Sequence, residues 1–375
     1  MDLGEIRKEL DAIDAKIAAL YEERMEACKK VAEYKIETGK PILDRAREEA
    51  KLKQVASLVS DDFNKQGIEE LFQQIMSMSR KLQYQLLSSH GKGEKLPFRP
   101  VEDLETKDAV VVFQGAEGAY SQAAMAEYFG SHTKNFHVDT FREAMLAISE
   151  GKADYGVLPI ENSTAGIVSE IYDLLVEFKN YIVGEQIIQI EHCLLGILGS
   201  TIEDIQTVYS HPQSLMQSSR FLNEHKEWQQ ISMKNNAFAA MKVAEEQDKT
   251  KAAIAGAYAG EVNGLTVLKK GVNHCSANST RFIIVTNKNI FKRSAGKISV
   301  CFEIPHESGS LYRMLSHFIY NNLNLTKIES RPIEGRNWEY RFFLDFEGNL
   351  LDGGVQNALR GLAAETIDFK LLGNY

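Results

Sequence analysis

The chain has 375 residues, of which 44% are hydrophobic and 25% are charged, and its formal net charge at pH 7 is −9. This length favours two or three domains, and the acidic balance argues against a surface that binds nucleic acid or an anionic membrane. The N-terminus lacks the apolar core of a signal peptide, and no apolar run approaches the roughly 18 residues of a membrane span. We therefore expect a cytoplasmic protein that binds any anionic substrate in a local cationic pocket.

Sequence patterns divide the chain into three domains and two linkers. Residues 1–90 have a helical pattern, and residues 91–107, with two glycines and two prolines, are typical of a linker. Residues 108–285 alternate apolar strands with amphipathic helices, which predicts an α/β domain. A polar linker at 286–297 precedes residues 298–375, whose pattern predicts the order strand, helix, strand, strand, helix, strand. This order is typical of a small ferredoxin-like α+β unit.

The first predicted helix carries two cations on its apolar face. The face is a heptad seam spaced 4, 3, 4, 3, formed by Ile6, Leu10, Ile13, Ile17 and Leu20. Continuing this spacing leads to Arg24 and then to Lys35, which lie about three turns, or ~16 Å, apart on one face. Arg7 points about 100° away from Arg24, so we expect it to serve the site of a neighbouring chain.

Two further helices supply polar groups that match these cations. Asp44, Arg47 and Glu48 share a face of the second helix at i, i+3 and i+4. In the third helix Ser79 interrupts an apolar seam, and Gln83 follows one turn later. A single such residue is explained by snorkelling, an ion pair or a small core position. Together they predict a pocket in a helical bundle for a small ligand with several negative charges.

Residues 1–88 resemble the all-helical class of chorismate mutase. The site residues of that family correspond, without a gap, to Arg7, Arg24, Lys35, Asp44, Arg47, Glu48, Ser79 and Gln83. The resemblance implies three helices per chain in an intertwined dimer, in which Arg7 reaches into the partner's site.

The resemblance also implies a role for each side chain of this pocket. The rearrangement of chorismate to prephenate needs no nucleophile, only a dicarboxylate held in its reactive conformation and donors for the developing negative charge. Lys35 and Gln83 would donate to the ether oxygen, and Glu48 would hold a substrate hydroxyl. The two carboxylates suit the arginines, namely Arg7, Arg24 and Arg47.

Four polar stretches stand out in the α/β region. FQGAEGAYS, at 113–121, follows a strand and opens a helix, but it lacks the third glycine of a dinucleotide site, so NAD is not inferred. The other three are GVLPIENSTAG, YSHPQSLMQSSRFL and ANSTRF. Each alone suits a polar loop that caps a helix. Together they place hydroxyls, amides, Glu161 and Arg281 near the strand ends of an open sheet, where such folds bind ligands.

Residues 108 to about 285 resemble prephenate dehydratase through the markers PIENS, HPQ and TRF. The resemblance implies two α/β lobes with a cleft, like a periplasmic ligand-binding protein, and makes Thr280 the essential residue. The other residues carried over are Glu161, Asn162, Ser210 and Gln217. Thr280, held beside Arg281, would donate a hydrogen bond to the departing hydroxyl while the carboxylate leaves as CO₂. Neither a metal nor a cofactor is implied.

The sequence N-S-T occurs twice in this region, at 162–164 and 278–280. It would accept N-linked sugar in a secreted protein. With no route to the secretory pathway, we expect both stretches to stay unmodified and to converge on one cleft. Asn235 and Asn236 stand where the dehydratase family usually has Ser-Thr.

Residues 298–375 resemble an ACT regulatory domain. The marks are SGSL at 308–311 and ESRP, which comprises Glu329, Ser330, Arg331 and Pro332. The resemblance implies that L-phenylalanine binds between two such domains, with backbone groups near Gly309 and Leu311 taking its amino-acid head. The alternative is a plain dimerisation domain that senses nothing.

These resemblances together imply a bifunctional enzyme of phenylalanine biosynthesis, a homodimer or larger, that converts chorismate through prephenate to phenylpyruvate. L-phenylalanine would inhibit it through the C-terminal domain. One alternative is a dehydratase that prefers arogenate. Another is a non-catalytic amino-acid sensor, which leaves the cations in the first helix unexplained.

Overall fold

The structure is a computed structural model that describes residues 2–90, 96–275, 277–307 and 309–375. Ser308 of the SGSL stretch and residues 91–95 of the first expected linker lie outside this part. The chain forms two compact units, one comprising Met1–Pro97 with Ala295–Leu371 and the other Phe98–Ser294 with Leu372–Tyr375. Within the described ranges no helix is both long enough and apolar enough to cross a membrane.

Three helices form the N-terminal part, as the sequence pattern predicts: α1 Leu3–Thr38, α2 Arg45–Ala56 and α3 Asp62–Ser89. Asp2 caps α1 by accepting a hydrogen bond from the Gly4 N–H, and Gly39 ends it at a positive φ of 70°. The apolar seam of the first half of α1 is exposed to solvent, with Leu20 64% exposed. The buried residues of α1 lie near its C-terminal end, at Ala32 and Ile36.

The α/β part begins with β1 Arg99–Val101 and ends with β13 Ile290–Lys292. Between them lie, in chain order, β2 Val110–Gln114, α4 Tyr120–Phe129, β3 Lys134–Val138, α5 Phe141–Ser149, β4 Tyr155–Asn162, β5 Gly166–Ile167, α6 Ser169–Glu177, β6 Tyr181–Gln189, β7 Cys193–Gly196, β8 Thr207–Ser210, α7 Pro212–Gln217, α8 Ser219–Leu222, β9 Gln229–Ser232, α9 Asn236–Glu246, β10 Lys251–Ala255, α10 Ala257–Asn263, β11 Thr266–Lys269 and β12 Ser279–Thr286.

Two sheets organise this part. The first has the strand order β6-β12-β4-β2-β3, and the second has the order β11-β7-β10-β8-β9. Central strands are largely apolar, as in residues 110–113 of β2, because helices cover both faces of a mixed sheet of this kind. Separate apolar cores follow from this division, one around Phe113 and Phe282 and another around Leu195 and Ala253.

Each segment expected to be a linker contributes a short strand. β1 and β13 pair in parallel, with Arg99 opposite Ile290. Ile290 and Phe291 are buried, and Ile290 packs in the core around Phe113. These two apolar side chains lie inside an otherwise polar stretch. Their burial stabilises the pairing of this segment with β1.

The C-terminal part comprises β14 Lys297–Glu303, α11 Ser310–Tyr320, β15 Leu325–Pro332, β16 Tyr340–Glu347, α12 Gly353–Glu365 and β17 Ile367–Asn374. Its strands are ordered β15-β16-β14-β17, and the pairs β14·β16 and β15·β16 are antiparallel. α12 packs against both α11 and α3. The predicted order of strands and helices is therefore observed.

Candidate active sites

The first candidate site is a cavity of about 210 Å³ enclosed by the three N-terminal helices. Every residue predicted for this pocket except Arg7 lines it: Arg24, Lys35, Asp44, Arg47, Glu48, Ser79 and Gln83. Arg7 lies near the N-terminal end of α1 and is exposed. The cavity thus gathers five cationic side chains, the three predicted ones together with Lys51 and Arg80, which suits an anionic ligand.

Ser79 orients one of these cations. Nη1 of Arg24 donates a hydrogen bond of 2.7 Å to Ser79 Oγ, which in turn donates to the carbonyl of Ile75 at 2.8 Å. A leucine at this position of the α3 seam would fill the space and offer no acceptor. The small polar residue therefore fixes the guanidinium at the cavity wall.

Lys35 and Gln83 bring donors to the same cavity. Nζ of Lys35 donates to the carbonyl of Ile42 at 2.5 Å. Burial lowers the pKa of Lys35, although the carboxylates of Asp44 and Glu48 act against this. Oε1 of Gln83 is buried and has no hydrogen-bond partner within the described residues. A ligand in the cavity can satisfy this amide, which is costly to leave buried and unpaired.

The two carboxylates of the site already have protein partners. Asp44 caps α2 by accepting from the Arg47 N–H at 3.0 Å, so its role in holding the second helix is structural at least in part. Both oxygens of Glu48 accept from Nη1 of Arg80, at 2.7 and 2.6 Å. Arg80 is only 5% exposed and was not predicted as a site residue. It lies about 100° around α3 from Ser79, off the apolar seam that contains Ser79.

The second candidate site lies on neighbouring strands of the first sheet. β4 and β12 are antiparallel, and their register places Thr280 opposite Asn162 and Arg281 opposite Glu161. The two N-S-T stretches, 116 residues apart in the sequence, are therefore side by side.

Asn162 is the centre of the hydrogen bonds around Thr280. Its Nδ2 donates to Thr280 Oγ1 at 2.9 Å and to Asn278 Oδ1 at 2.8 Å. Its Oδ1 accepts from the Thr164 hydroxyl at 2.8 Å and from the backbone N–H groups of Thr164 and Ala165. Because Thr280 Oγ1 accepts from Asn162, the hydroxyl hydrogen of Thr280 can point away from it, towards a substrate oxygen.

Gln217 reaches this cluster from the segment that follows the second sheet's β8. Its Nε2 donates to Thr164 Oγ1 at 3.2 Å, and its Oε1 lies 2.9 Å from His192 Nε2. The other ring nitrogen of His192 is 3.0 Å from the Tyr120 hydroxyl. Burial lowers the pKa of His192, against the opposing effect of Gln217, so the neutral ring is favoured. A neutral ring protonated at Nε2 donates to Gln217 Oε1, and the Tyr120 hydroxyl also lies 3.0 Å from the carbonyl of Glu191.

Models of two families match separate parts of the chain: chorismate mutase type II at residues 6–84 and prephenate dehydratase at residues 111–290. The bifunctional chorismate mutase/prephenate dehydratase of Escherichia coli strain K12 is 33% identical over 376 residues, which cover 99% of this chain and 95% of that protein. The chain belongs to the bifunctional chorismate mutase/prephenate dehydratase family. It is an enzyme with a helical chorismate mutase domain followed by a prephenate dehydratase domain.

Two solved structures extend this likeness beyond the mutase domain. GqqA, described as a novel type of quorum quenching acylase, is 32% identical with a TM-score of 0.64 and covers 71% of this chain and 97% of its own. The prephenate dehydratase of Arthrobacter aurescens in complex with L-Phe is 27% identical with a TM-score of 0.65, covering 71% of this chain and 89% of its own.

The structure places two of the residues expected in the dehydratase site against protein partners. Arg281 does not lie beside Thr280, because successive side chains of a strand point to opposite faces of the sheet. Nε of Arg281 lies instead 2.7 Å from Glu161 Oε1, and its Nη1 lies 3.2 Å from Glu185 Oε2. Glu161 and Arg281 therefore form an ion pair on the face away from Asn162 and Thr280.

Ser210, which is expected to bind substrate, is the second of these residues. It is fully buried, and its Oγ lies 2.6 Å from the Ile254 carbonyl and 3.0 Å from Asn236 Oδ1. The amide of Asn236 also accepts from the His211 N–H and donates to Ser214 Oγ. Ser210 thus helps to fix the start of α7 within the second sheet's lobe.

The C-terminal region has a cavity of about 190 Å³ at the start of α11, and its lining includes Gly309, Leu311, Tyr340 and Phe342. Gly309 caps α11 at a positive φ of 75°, a conformation that glycine adopts without strain. The ESRP stretch lies in β15, outside this lining, with Pro332 paired to Tyr340. The structure therefore brings Gly309 and Leu311 to one cavity and places Glu329, Ser330, Arg331 and Pro332 on a strand next to it.

Proposed function

We propose that the two clusters are two separate active sites of one phenylalanine-biosynthesis enzyme of the cytoplasm. Residues 1–90 would rearrange chorismate to prephenate, and residues 108–285 would convert prephenate to phenylpyruvate. The observation that carries the proposal is the register that sets Asn162 beside Thr280, far along the sequence from a cavity lined by Arg24, Lys35 and Arg47.

In the helical pocket, Arg24 and Arg47 bind the carboxylates of chorismate, and Lys35 and Gln83 donate to its ether oxygen. Charge that develops on this oxygen in the transition state is stabilised by donors that are already in place. Glu48 accepts a hydrogen bond from a substrate hydroxyl. Gln83 donates through Nε2, and its buried Oε1, which has no hydrogen-bond partner among the described residues, accepts from a donor on the ligand.

The mutase site is completed by Arg7 of a second copy of the chain in a homodimer or a larger homo-oligomer. The exposed apolar residues of the first half of α1 support this proposal, since a long apolar seam on one helix needs a cover. They include Leu10, Ile13, Ile17 and Leu20. Arg7 extends from the same half of the helix and is exposed.

In the dehydratase domain, Thr280 donates its hydroxyl hydrogen to the departing oxygen of prephenate. The carboxylate leaves as CO₂, the electron pair of the broken C–C bond enters the ring, and the C–O bond breaks with its pair on the oxygen. Thr280 stabilises the departing hydroxide by its hydrogen bond, and a proton from solvent converts the hydroxide to water. Aromatisation drives these steps, so one well-placed donor is enough. Asn162 holds Thr280, Gln217 holds Thr164, and the Glu161–Arg281 pair fixes the strands behind them.

Residues 298–375 form, in this proposal, a ferredoxin-like ACT domain that binds L-phenylalanine and inhibits the enzyme. The strand order β15-β16-β14-β17 and the cavity at Gly309 and Leu311 support it, as does the likeness to a dehydratase solved with L-Phe. The ESRP residues next to the cavity would shape its wall through Tyr340.

A product time course from chorismate, run with and without L-phenylalanine, tests the whole proposal. We expect prephenate and then phenylpyruvate to appear, and both to slow when L-phenylalanine is added. Prephenate that accumulates without phenylpyruvate would refute the dehydratase half. An inert chain that still binds L-phenylalanine would identify an amino-acid sensor.

A further inference from the structure

Arg80 connects the mutase pocket with the C-terminal region of the same compact unit. One side of its guanidinium, Nη1, donates to both oxygens of Glu48. The other side donates to Glu365, the last residue of α12, through Nε at 2.7 Å and Nη2 at 3.1 Å. A planar guanidinium that grips one carboxylate through two parallel bonds has little rotational freedom, so Glu365 fixes how Arg80 meets Glu48.

We propose that Arg80, held by Glu365, is a positioning residue for the chorismate mutase reaction that sets the orientation of the Glu48 carboxylate. This inference rests on the proposed mutase function of the helical pocket. It assigns to the C-terminal region a part in the mutase site itself: α12 supplies the group that keeps Arg80 in place.

The ion pair between Arg80 and Glu365 is buried. Arg80 is 5% and Glu365 7% exposed. Burial alone would raise the pKa of Glu365, but His317 and Arg80 outweigh it and lower this pKa to about 2. Glu365 is therefore an anion that shares one cation with Glu48. In such a place an ion pair that loses one member leaves a charge without compensation.

A second residue of the C-terminal region, His317, contacts the Glu365 carboxylate. His317 of α11 is 1% exposed, and its Nε2 lies 3.4 Å from Glu365 Oε1. Its ring lies over Gly361 of α12, where a Cβ atom would come within 2.4 Å of the ring. Only glycine leaves room for the ring at this position. The carboxylate is thus clamped between a ring from one helix and a guanidinium from another.

Removing the charge of Glu365 should weaken the ion pair that fixes the orientation of the Arg80 guanidinium next to Glu48. Without its partner at Nε and Nη2, the guanidinium can rotate about the Nη1 contacts that it already makes with both oxygens of Glu48. A carboxylate has about four acceptor positions, so the angle at which Arg80 meets Glu48 decides which positions remain for a substrate hydroxyl. The expected result is weaker binding and poorer alignment of chorismate, although every residue lining the pocket is unchanged.

The test uses the full-length chain with Glu365→Gln. We expect the mutase kcat/KM to fall about tenfold, a loss typical of small misplacements in a preorganised site, with dehydration of added prephenate unchanged within about twofold. Arg80→Lys keeps the charge but loses the fork, so it should show a similar loss. Ser88→Ala is the matched control, because it removes another contact between α3 and α12, the hydrogen bond from Arg360, without touching Glu48.

A double-mutant cycle with Glu48→Gln separates positioning from general destabilisation. If Glu365 acts through Glu48, adding Glu365→Gln to Glu48→Gln should change the residual mutase activity by less than about twofold. The proposal is overturned by wild-type mutase activity in Glu365→Gln, by an equal loss in Ser88→Ala, or by an undiminished effect in the Glu48→Gln background. A wild-type chain that is inert towards chorismate but dehydrates prephenate would overturn the mutase function together with this inference.

Discussion

The two candidate sites handle polarity in opposite ways. The helical pocket is a cavity lined by cations and a buried amide, among them Lys35 and Gln83. The dehydratase cluster is a closed set of hydrogen bonds in which Asn162 uses both ends of its amide on protein partners. One site is complementary to a charged ligand, whereas the other holds a single hydroxyl in one place.

This difference follows from the chemistry that each site is proposed to perform. A pericyclic rearrangement has no group to protonate, so the site must supply charge complementarity and shape. Dehydration with loss of CO₂ is driven by aromatisation and needs one donor at one oxygen. Changes at single residues should therefore be most damaging at the donor of the second site and more graded in the first.

The largest effect is expected for Thr280→Ala. Because Thr280 is the only donor assigned to the departing oxygen, we expect dehydration to fall by about 10³-fold or more, within the range known for loss of a key catalytic donor. Mutase activity of the same protein should be unchanged. Thr280→Ser, which keeps the hydroxyl, is the control and should retain a measurable share of the dehydratase activity. A Thr280→Ala protein that still makes phenylpyruvate at the normal rate would remove Thr280 from the mechanism.

A smaller but still large effect is expected for Gln83→Ala. Losing one donor to a developing negative charge costs about 10²- to 10³-fold in comparable sites, so mutase activity should fall by this factor. Dehydration of added prephenate should be spared, and Arg24→Ala should give the same separation through the loss of a carboxylate ligand. An equal reduction of both activities by either change would contradict two separate sites and indicate one shared site.

The pH dependence of the mutase activity should follow the protonation of Lys35. Burial lowers the pKa of Lys35, and only the protonated lysine donates with a full charge. Mutase kcat/KM should therefore hold at low pH and decline as the pH rises through this lowered pKa, below the ordinary lysine value of about 10.4.

Lys35→Arg provides the matched control, because an arginine stays charged throughout this range and should move the decline to higher pH. Cys28→Ser separates the lysine from the thiol that also lines the cavity. A mutase profile that declines at the same pH in the wild type and in Lys35→Arg would exclude Lys35 as the titrating group.

The sequence predicted the helical pocket more completely than the dehydratase cluster, for a physical reason. Helical periodicity places residues on a face directly, so the apolar seam led to Arg24, Lys35 and Ser79. Arg80 was missed because it lies off that seam and because its second partner, Glu365, is 285 residues further along the chain. Periodicity carries no information about such a distant contact.

In the α/β domain the sequence led to polar stretches that the structure brings together, but not to the directions of their side chains. The alternation of side chains along β12 was enough to separate Thr280 from Arg281, and this rule was available from the sequence alone. No sequence pattern indicated His192 or Tyr120. Each is a single residue whose role comes from the contacts of His192 with Gln217 and Tyr120, which are distant in the sequence. Strand pairing between β4 and β12 is likewise a long-range contact that no local pattern specifies.

The smallest effect on activity is expected for Ser210→Ala, which tests whether this residue supports the fold or binds substrate. The change removes a buried donor from the Ile254 carbonyl and the Asn236 amide, so we expect the dehydratase domain to lose about 1–2 kcal/mol of stability. Scanning calorimetry should show a lower Tm, while kcat/KM for prephenate changes less than about threefold. Ser214→Ala, which removes the acceptor at the other end of Asn236, should behave in the same way. A substrate ligand would give the reverse, a raised KM at an unchanged Tm, and would return Ser210 to the binding cleft.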